Sequence, residues 1–291
     1  MTEKASDNAE QIEYWNGEGG QDWAERNQQM EKTLAPLAEE VIAAADPRPG
    51  EAVLDIGCGC ADTSLSLLHR VGPAGRVLGV DISGPMLAVA ATKAEQLPED
   101  LCSAITFEQA DASSYRFQAG SFDLLFSRFG VMFFANPISA FANMRIALKP
   151  GGRIAFLCWA PVPENEWITL PMGAALQHVP PPEPAPPNAP GPFGLSNPGF
   201  VDQVLNEAGY SNINIASTRP TMRFGHGLQK EQIADFFVEA SPVSRLFTGA
   251  PPDKMEAMRR TIAAAIMPYH DGTTINLGAS CWLVTARNED R

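Results

Sequence analysis

The chain has no block of lysine or arginine. Its 21 basic residues stand against 34 acidic ones, for a formal net charge of −13. Nucleic acid is gripped through a basic footprint on its phosphates, so DNA and RNA are excluded as substrates; an anionic membrane surface is excluded on the same ground. No apolar run reaches membrane-spanning length, and the opening Met1 to Asp7 has no apolar signal core. The expectation is a cytoplasmic protein. Cysteine is sparse: Cys58, Cys60, Cys102, Cys158 and Cys281 are odd in number and scattered, which excludes a disulfide framework and fits a reducing compartment. The four histidines, His69, His178, His226 and His270, show no metal-ligand spacing with each other or with the cysteines, so no metal is expected. There is no internal repeat.

What is present is a globular composition, 45% hydrophobic and 19% charged over 291 residues, enough for one enlarged α/β domain or a core plus a cap. The stretch that organises it is Ala52 to Thr63. Val53, Leu54 and Ile56 suit a buried parallel strand. Gly57 and Gly59 let the backbone turn sharply and approach a ligand, and Leu65, Leu67 and Leu68 begin an apolar helix face. The free N–H groups at that helix start would face the ligand. Cys58, close to the helix start, is either a thiol of lowered pKa or a small residue filling the turn.

Spacing decides between nucleotide-like cofactors. A dinucleotide fingerprint needs a third glycine three residues after the second, and here that position is Asp62. Asp55 places another carboxylate at the strand tip. Two acids disfavour an anionic ligand and suit a cation such as S-adenosylmethionine, whose one carboxylate can use the helix N-terminus.

Asp55-Ile-Gly57-Cys-Gly59-Cys-Ala61 resembles the first motif of the class I S-adenosylmethionine-dependent methyltransferases, with Ala61 in the last glycine slot. The likeness continues, in the family's order, through Val77 to Asp81, Glu108 to Ala112, Ser121 to Ser127 and Leu148 to Ile154. It covers roughly residues 50 to 160. It implies a Rossmann-like, doubly wound seven-stranded mixed sheet of order 3-2-1-4-5-7-6, with strand 7 antiparallel. It also implies that Asp81 binds the ribose, that Ile82 and Met86 flank the adenine, and that Asp111 meets the adenine amino group. The competing readings are a helix cap for Asp81 and a simple turn for Asp111.

In chain order, residues 1 to 10 read as disordered. Trp15, Trp23 and Met30 form either a lid over the cofactor or the apolar face of a helix packed on the sheet. A helix spans Thr33 to Ala45, and Pro47 to Gly50 leads into strand 1. Strands follow at 76–81, 103–109, 122–127 and 153–159, separated by helices at 62–71, 83–96 and 136–148. That alternation makes a doubly wound sheet the expected architecture. Beyond it, Pro180 to Pro192 is a stiff exposed connection. Asn197 caps a helix to Ala208, Ile213 to Phe224 should be strand 6, and Ala279 to Ala286 strand 7. The expected division is a lid at 1–46, a core at 47–225 and 276–291, and a helical cap at 226–275.

The expected cofactor contacts are Trp15, Asp55, Gly57, Cys58, Gly59, Thr63, Asp81, Ile82, Met86, Asp111, Ala112 and Ser127. Residues just past strand 4 should border the transferred methyl, because ligands lie outside the carboxyl ends of parallel strands. Arg128 could there hold an acceptor carboxylate, the methionine end of the cofactor or an internal acid. Phe129, Met132, Phe133, Trp159 and Trp167 would make an apolar wall for a small, apolar or aromatic acceptor. A base is needed only if the nucleophile starts protonated; His226, Glu166 and His270 are the candidates, none with a motif behind it. The sequence therefore reads as a methyltransferase for a small metabolite, monomeric or homodimeric. A nicotinamide-dependent oxidoreductase and a non-catalytic S-adenosylmethionine-binding regulatory protein are the alternatives.

Overall fold

Alternating strand and helix signals become alternating strands and helices. The structure is a computed structural model that describes residues 8–240, 243, 246–247 and 249–289. Three helices come first: α1 (Ala9–Asn16), α2 (Glu18–Glu25) and α3 (Asn27–Ala45). Then follow β1 (Ala52–Ile56), α4 (Asp62–Val71), β2 (Arg76–Asp81), α5 (Gly84–Ala94), α6 (Glu99–Cys102), β3 (Ile105–Gln109), β4 (Phe122–Arg128), α7 (Pro137–Ala147) and β5 (Leu148–Trp159). The second half adds α8 (Glu166–Ala175), α9 (Pro198–Glu207), β6 (Ser211–Thr218), β7 (Thr221–Phe224), α10 (Lys230–Ala240), α11 (Pro252–Ile266), β8 (Ile275–Gly278) and β9 (Cys281–Arg287).

The main sheet has the order β3-β2-β1-β4-β5-β9-β6. The first five strands are parallel, while β9 runs antiparallel to both neighbours. This is the doubly wound, Rossmann-like sheet expected, with β9 as the seventh strand. Every residue of β1 is buried, as a strand covered on both faces must be. Helix starts are set by side chains that satisfy orphan N–H groups: Ser83 accepts from Met86, Asn136 from Ser139, and Asn197 from Gly199 and Phe200. On α3, Leu34, Leu37, Val41 and Ile42 are all buried, the periodicity read from the sequence.

Two expectations need correction. The strand expected over Ile213 to Phe224 is two strands: β6 stays in the main sheet, whereas β7 pairs with β8 in a separate antiparallel ribbon. Pro220 lies at the break, where it cannot donate to a ladder, and its carbonyl accepts from the Ala279 amide instead. The helices α10 and α11 are therefore carried on this ribbon, with α11 packed on α8. Second, of the residues read as disordered, 1–7 lie outside the described residues, but α1 begins at Ala9. Asn8 fixes that start: its Nδ2 donates to Asp111 and its Oδ1 accepts from the Ala135 amide.

Candidate active site

The turn after β1 contains three left-handed residues, Gly57 (φ 67°), Gly59 (φ 53°) and Ala61 (φ 68°). Their reasons differ. A Cβ on Gly57 would lie 2.5 Å from the Cα of Gly130, so besides the sharp turn read from the sequence this glycine serves the close approach of the chain leaving β4. A Cβ on Gly59 would meet the Met86 thioether at 3.7 Å, an ordinary van der Waals contact, so this glycine answers to its left-handed φ and not to crowding.

Asp55 lies at 0% exposure. Its Oδ2 accepts from the hydroxyls of Thr63 (2.9 Å) and Ser64 (2.6 Å), while its Oδ1 has no partner among the described residues. Burial pushes its carboxyl up to about 6, against the opposing pull of those hydroxyls and of Arg128. Asp81 is also buried and is raised by burial. Its Oδ2 accepts from the Gly59 amide and its Oδ1 from the Ser83 amide, each at 2.8 Å, so one carboxylate braces both turns. Asp62, read as a second charge lining the crevice, is instead neutralised by Lys93 Nζ at 2.5 Å and receives a hydrogen bond from Asn27. Among the described residues, the acids at these tips without an ion-pair partner are Asp55 and Asp81, both buried.

Above these tips runs a strap formed by α1, α2 and the first turns of α3, fastened mostly by side-chain amides. Asn8 reaches Asp111 after β3. Asn16 donates to the Ile82 carbonyl and accepts from the Gly84 amide and Gln109. Asn27 reaches Asp62, Gln29 donates to the His226 carbonyl, and Thr33 donates to the Arg223 carbonyl. Glu31 meets Arg128 at 2.8 Å; the charges are paired, yet Glu31 Oε2 and Arg128 Nη1 make no aligned hydrogen bond. Burial outweighs that guanidinium and raises Glu31. Of the partners considered for Arg128, the internal acid is the one seen. Trp15 sits edge-on to Trp23 and Phe133, joining the strap to the segment after β4.

Met86 is buried below Gly59, Ala112 is buried and its carbonyl accepts from Asn143. Burial and the nearby carboxylates of Asp81 and Asp55 hold the Cys58 thiol well above its ordinary pKa, so of its two readings the small turn-filler is the one seen. Ser127 is buried, donating to the Ile56 carbonyl and accepting from the Gly130 amide, a tie between β1 and β4 that the sequence did not signal.

Past β4, Phe129 takes φ 62°, a conformation costly for a bulky side chain, and stacks on Trp159 at 4.1 Å and 9°. Trp159 meets Trp167, Trp167 meets Phe224, and Phe224 meets Phe237, so aromatic rings run from the strand tip into α10. Met132, in the same segment after β4, is buried as well. The Trp167 indole donates to Asn165, a fully buried amide that also accepts from the Ser280 amide. Asn165 was missed; its sequence signal is only an asparagine ahead of a helix.

Two of the three base candidates have local partners: Glu166 accepts from the Gly278 amide, and His270 Nδ1 from the Gly272 amide. His226 differs, since its Nε2 is buried with no partner among the described residues. A cleft of about 400 Å³ at the opposite ends of β2, β3 and β4 is lined by Arg76, Thr106, Tyr115 and Phe122 and holds no acid or histidine. No His/Cys/Asp/Glu group among the described residues could hold a metal, and none of their helices is long and apolar enough to cross a membrane.

The fold is that of a doubly wound α/β protein whose buried acids Asp55 and Asp81 stand at the tips of β1 and β2. A family model described as a methyltransferase domain matches residues 53–152. The chain is 33% identical to nocamycin O-methyltransferase of Saccharothrix syringae over 188 residues, which cover 61% of this chain and 65% of that protein, just under two thirds. It is 32% identical to aklanonic acid methyltransferase DauC of Streptomyces sp. (strain C5) over 153 residues, 50% of this chain and 68% of that one. In structure it resembles the YcgJ protein of Bacillus subtilis, with a TM-score of 0.57 at 17% identity over 88% of this chain and all of that one; this likeness shows the fold. The chain belongs to the class I S-adenosylmethionine-dependent methyltransferase family. One observation at the tips suits that cofactor: the buried Asp55 Oδ1 lacks a donor among the described residues.

Proposed function

We propose that the protein transfers a methyl group from S-adenosyl-L-methionine to a small apolar or aromatic molecule. The observation that supports this reading is the meeting of two buried groups, the acidic turns after β1 and β2 and a row of aromatic rings starting at Phe129, joined where Gly57 packs on Gly130. Asp55, Gly59 and Asp81 would hold the cofactor, with Ile82 and Met86 beside its base and Asp111 and Ala112 at its far end. The cofactor supplies a methyl group already activated on a sulfonium. The protein's part is then alignment in a dry pocket, which can contribute on the order of 7–11 kcal/mol at best. Phe129, Trp159 and Trp167 supply an apolar surface against which a flat acceptor can lie. We assign the strap the role of a lid and the α10–α11 pair that of a cap over the acceptor.

The two relatives named as methyltransferases, one of nocamycin and one of aklanonic acid, support a small-molecule acceptor. Calorimetry with S-adenosylhomocysteine and with NAD tests the cofactor: tight binding of NAD alone would overturn the proposal. Labelled methyl transfer into a fractionated metabolite extract tests the acceptor class, and label appearing only in protein or nucleic acid would refute it.

A further inference from the structure

The main sheet ends in two edges, β3 and β6. An edge strand turns every second N–H and C=O away from its one neighbour, and proteins blunt such a row with charge, proline, a bulge or shortness. β3 is blunted: it has five residues, Ile105–Gln109, and carries Glu108. β6 is longer, Ser211–Thr218, and reads Ser-Asn-Ile-Asn-Ile-Ala-Ser-Thr, without a charge or a proline in a chain of net charge −13. Its one protective feature, a bulge between Ser211 and Asn214 with Asn212 at φ 51°, lies at its start. From 214 to 218 the register with β9 is unbroken, and among the described residues no other strand pairs with β6.

What the edge presents is complementary to itself. Asn212, Asn214 and Ser217 are its exposed side chains. Amides and hydroxyls both donate and accept, so each can be satisfied by the same group on a copy of the strand, which a charged group cannot. The two ends carry opposite charges. At the start, Asn212 Nδ2 donates to Glu289 at 2.7 Å; just past the end stands Arg219, its side chain 74% exposed and 3.2 Å from Glu164. Antiparallel pairing about a two-fold axis lays the end of one strand beside the start of the other. Each Arg219 then meets the second copy's Glu289, whereas parallel pairing would set like charges together.

We propose that β6 is the interface through which two copies of this chain associate, antiparallel and about a two-fold axis, so that two seven-stranded sheets become one. The outward N–H and C=O groups of each strand bond those of the other, and no charge lies within the seam. Ile213 and Ile215 pack on the core yet stay partly exposed, and the second copy gives them cover. Eight residues make a seam of roughly 26 Å, at the small end of stable interfaces, so the dissociation constant falls in the micromolar range.

Sedimentation equilibrium of the full chain, over about 1 to 200 µM, is expected to show a monomer–dimer equilibrium. Asn214→Lys sets like charges along the seam and should weaken association on the order of tenfold, with an unchanged melting temperature reporting a folded chain. Ser217→Lys repeats that test at a second exposed position. Arg219→Glu and Glu289→Arg should each weaken association, and the double variant, in which the opposite charges are exchanged, should recover it. Thr106→Lys, on the β3 edge, should change nothing. Amide exchange gives a local readout: residues 213–218 of the wild type should slow as concentration rises, and those of Asn214→Lys should not. A chain that stays monomeric, leaving the edge to a strand of some other protein, overturns the inference. So does a dimer that both lysine variants leave intact, or one that Thr106→Lys abolishes.

Discussion

The charge of the crevice gives the sharpest test. Without ligand, burial holds the Asp55 carboxyl at about 6 instead of 3.8, a difference of about 3 kcal/mol against its ionised form. For the fold alone, protonation of Asp55 is therefore stabilising: the contribution is whole below about pH 3.8 and is lost as pH rises through about 6. A cation seated beside the unpartnered Oδ1 reverses that preference and holds the carboxylate ionised. Affinity for S-adenosylmethionine then follows the ionised fraction of the free protein, which is about a tenth at pH 5 and nearly complete at pH 7.5, so binding should tighten about tenfold over that interval. Binding near pH 6 should release about half a proton, measurable by calorimetry in buffers of different ionisation enthalpy. Asp55→Asn should remove the proton release and flatten the pH dependence. A wild-type affinity independent of pH, or a proton release that survives in Asp55→Asn, would refute the assignment of Asp55 as the cation's partner.

Three further outcomes are expected. Gly57→Ala forces a side chain against Gly130 at a left-handed φ and should cost about 2 kcal/mol or more in urea unfolding; an unchanged midpoint would show that the two turns do not touch. Asp81→Ala should weaken S-adenosylhomocysteine binding and also lower the melting temperature, since the Gly59 and Ser83 amides lose their acceptor at about 1–3 kcal/mol each; unchanged affinity would remove the ribose assignment. Arg128→Ala and Glu31→Gln should each speed amide exchange across residues 9–33, and the double variant should add little to either single one. Additive effects would dissociate the pair from the strap.

The doubly wound core was legible because its signals are local: apolar runs ending in Asp55 and Asp81, glycines at fixed spacing, and asparagine or serine caps. What could not be read depended on contacts distant in sequence. Pro220 marks a break in a strand but does not say that the next four residues will pair with 275–278. Gly57 was recognised as a turn residue, yet its crowding partner is Gly130, 73 residues later. Asp62 reads from spacing as a second charge facing the ligand, but Lys93 and Asn27 are brought beside it by the fold. The site divides in the same way. Asp55 and Asp81 stand out by motif spacing and Met86 by the family resemblance, whereas Asn8, Asn16, Asn27 and Gln29 are polar residues on or just before amphipathic helices, and no local pattern separates one that binds a neighbouring loop from one that faces water.

Position 129 joins opposing demands. A phenylalanine held at φ 62° works against its own backbone, where glycine or asparagine would rest without penalty, yet its ring forms the first plate of the aromatic row. A screen that rewards heat tolerance alone is expected to replace it, and one that rewards turnover to keep it. The two screens run side by side would show whether the awkward torsion persists for the sake of the acceptor.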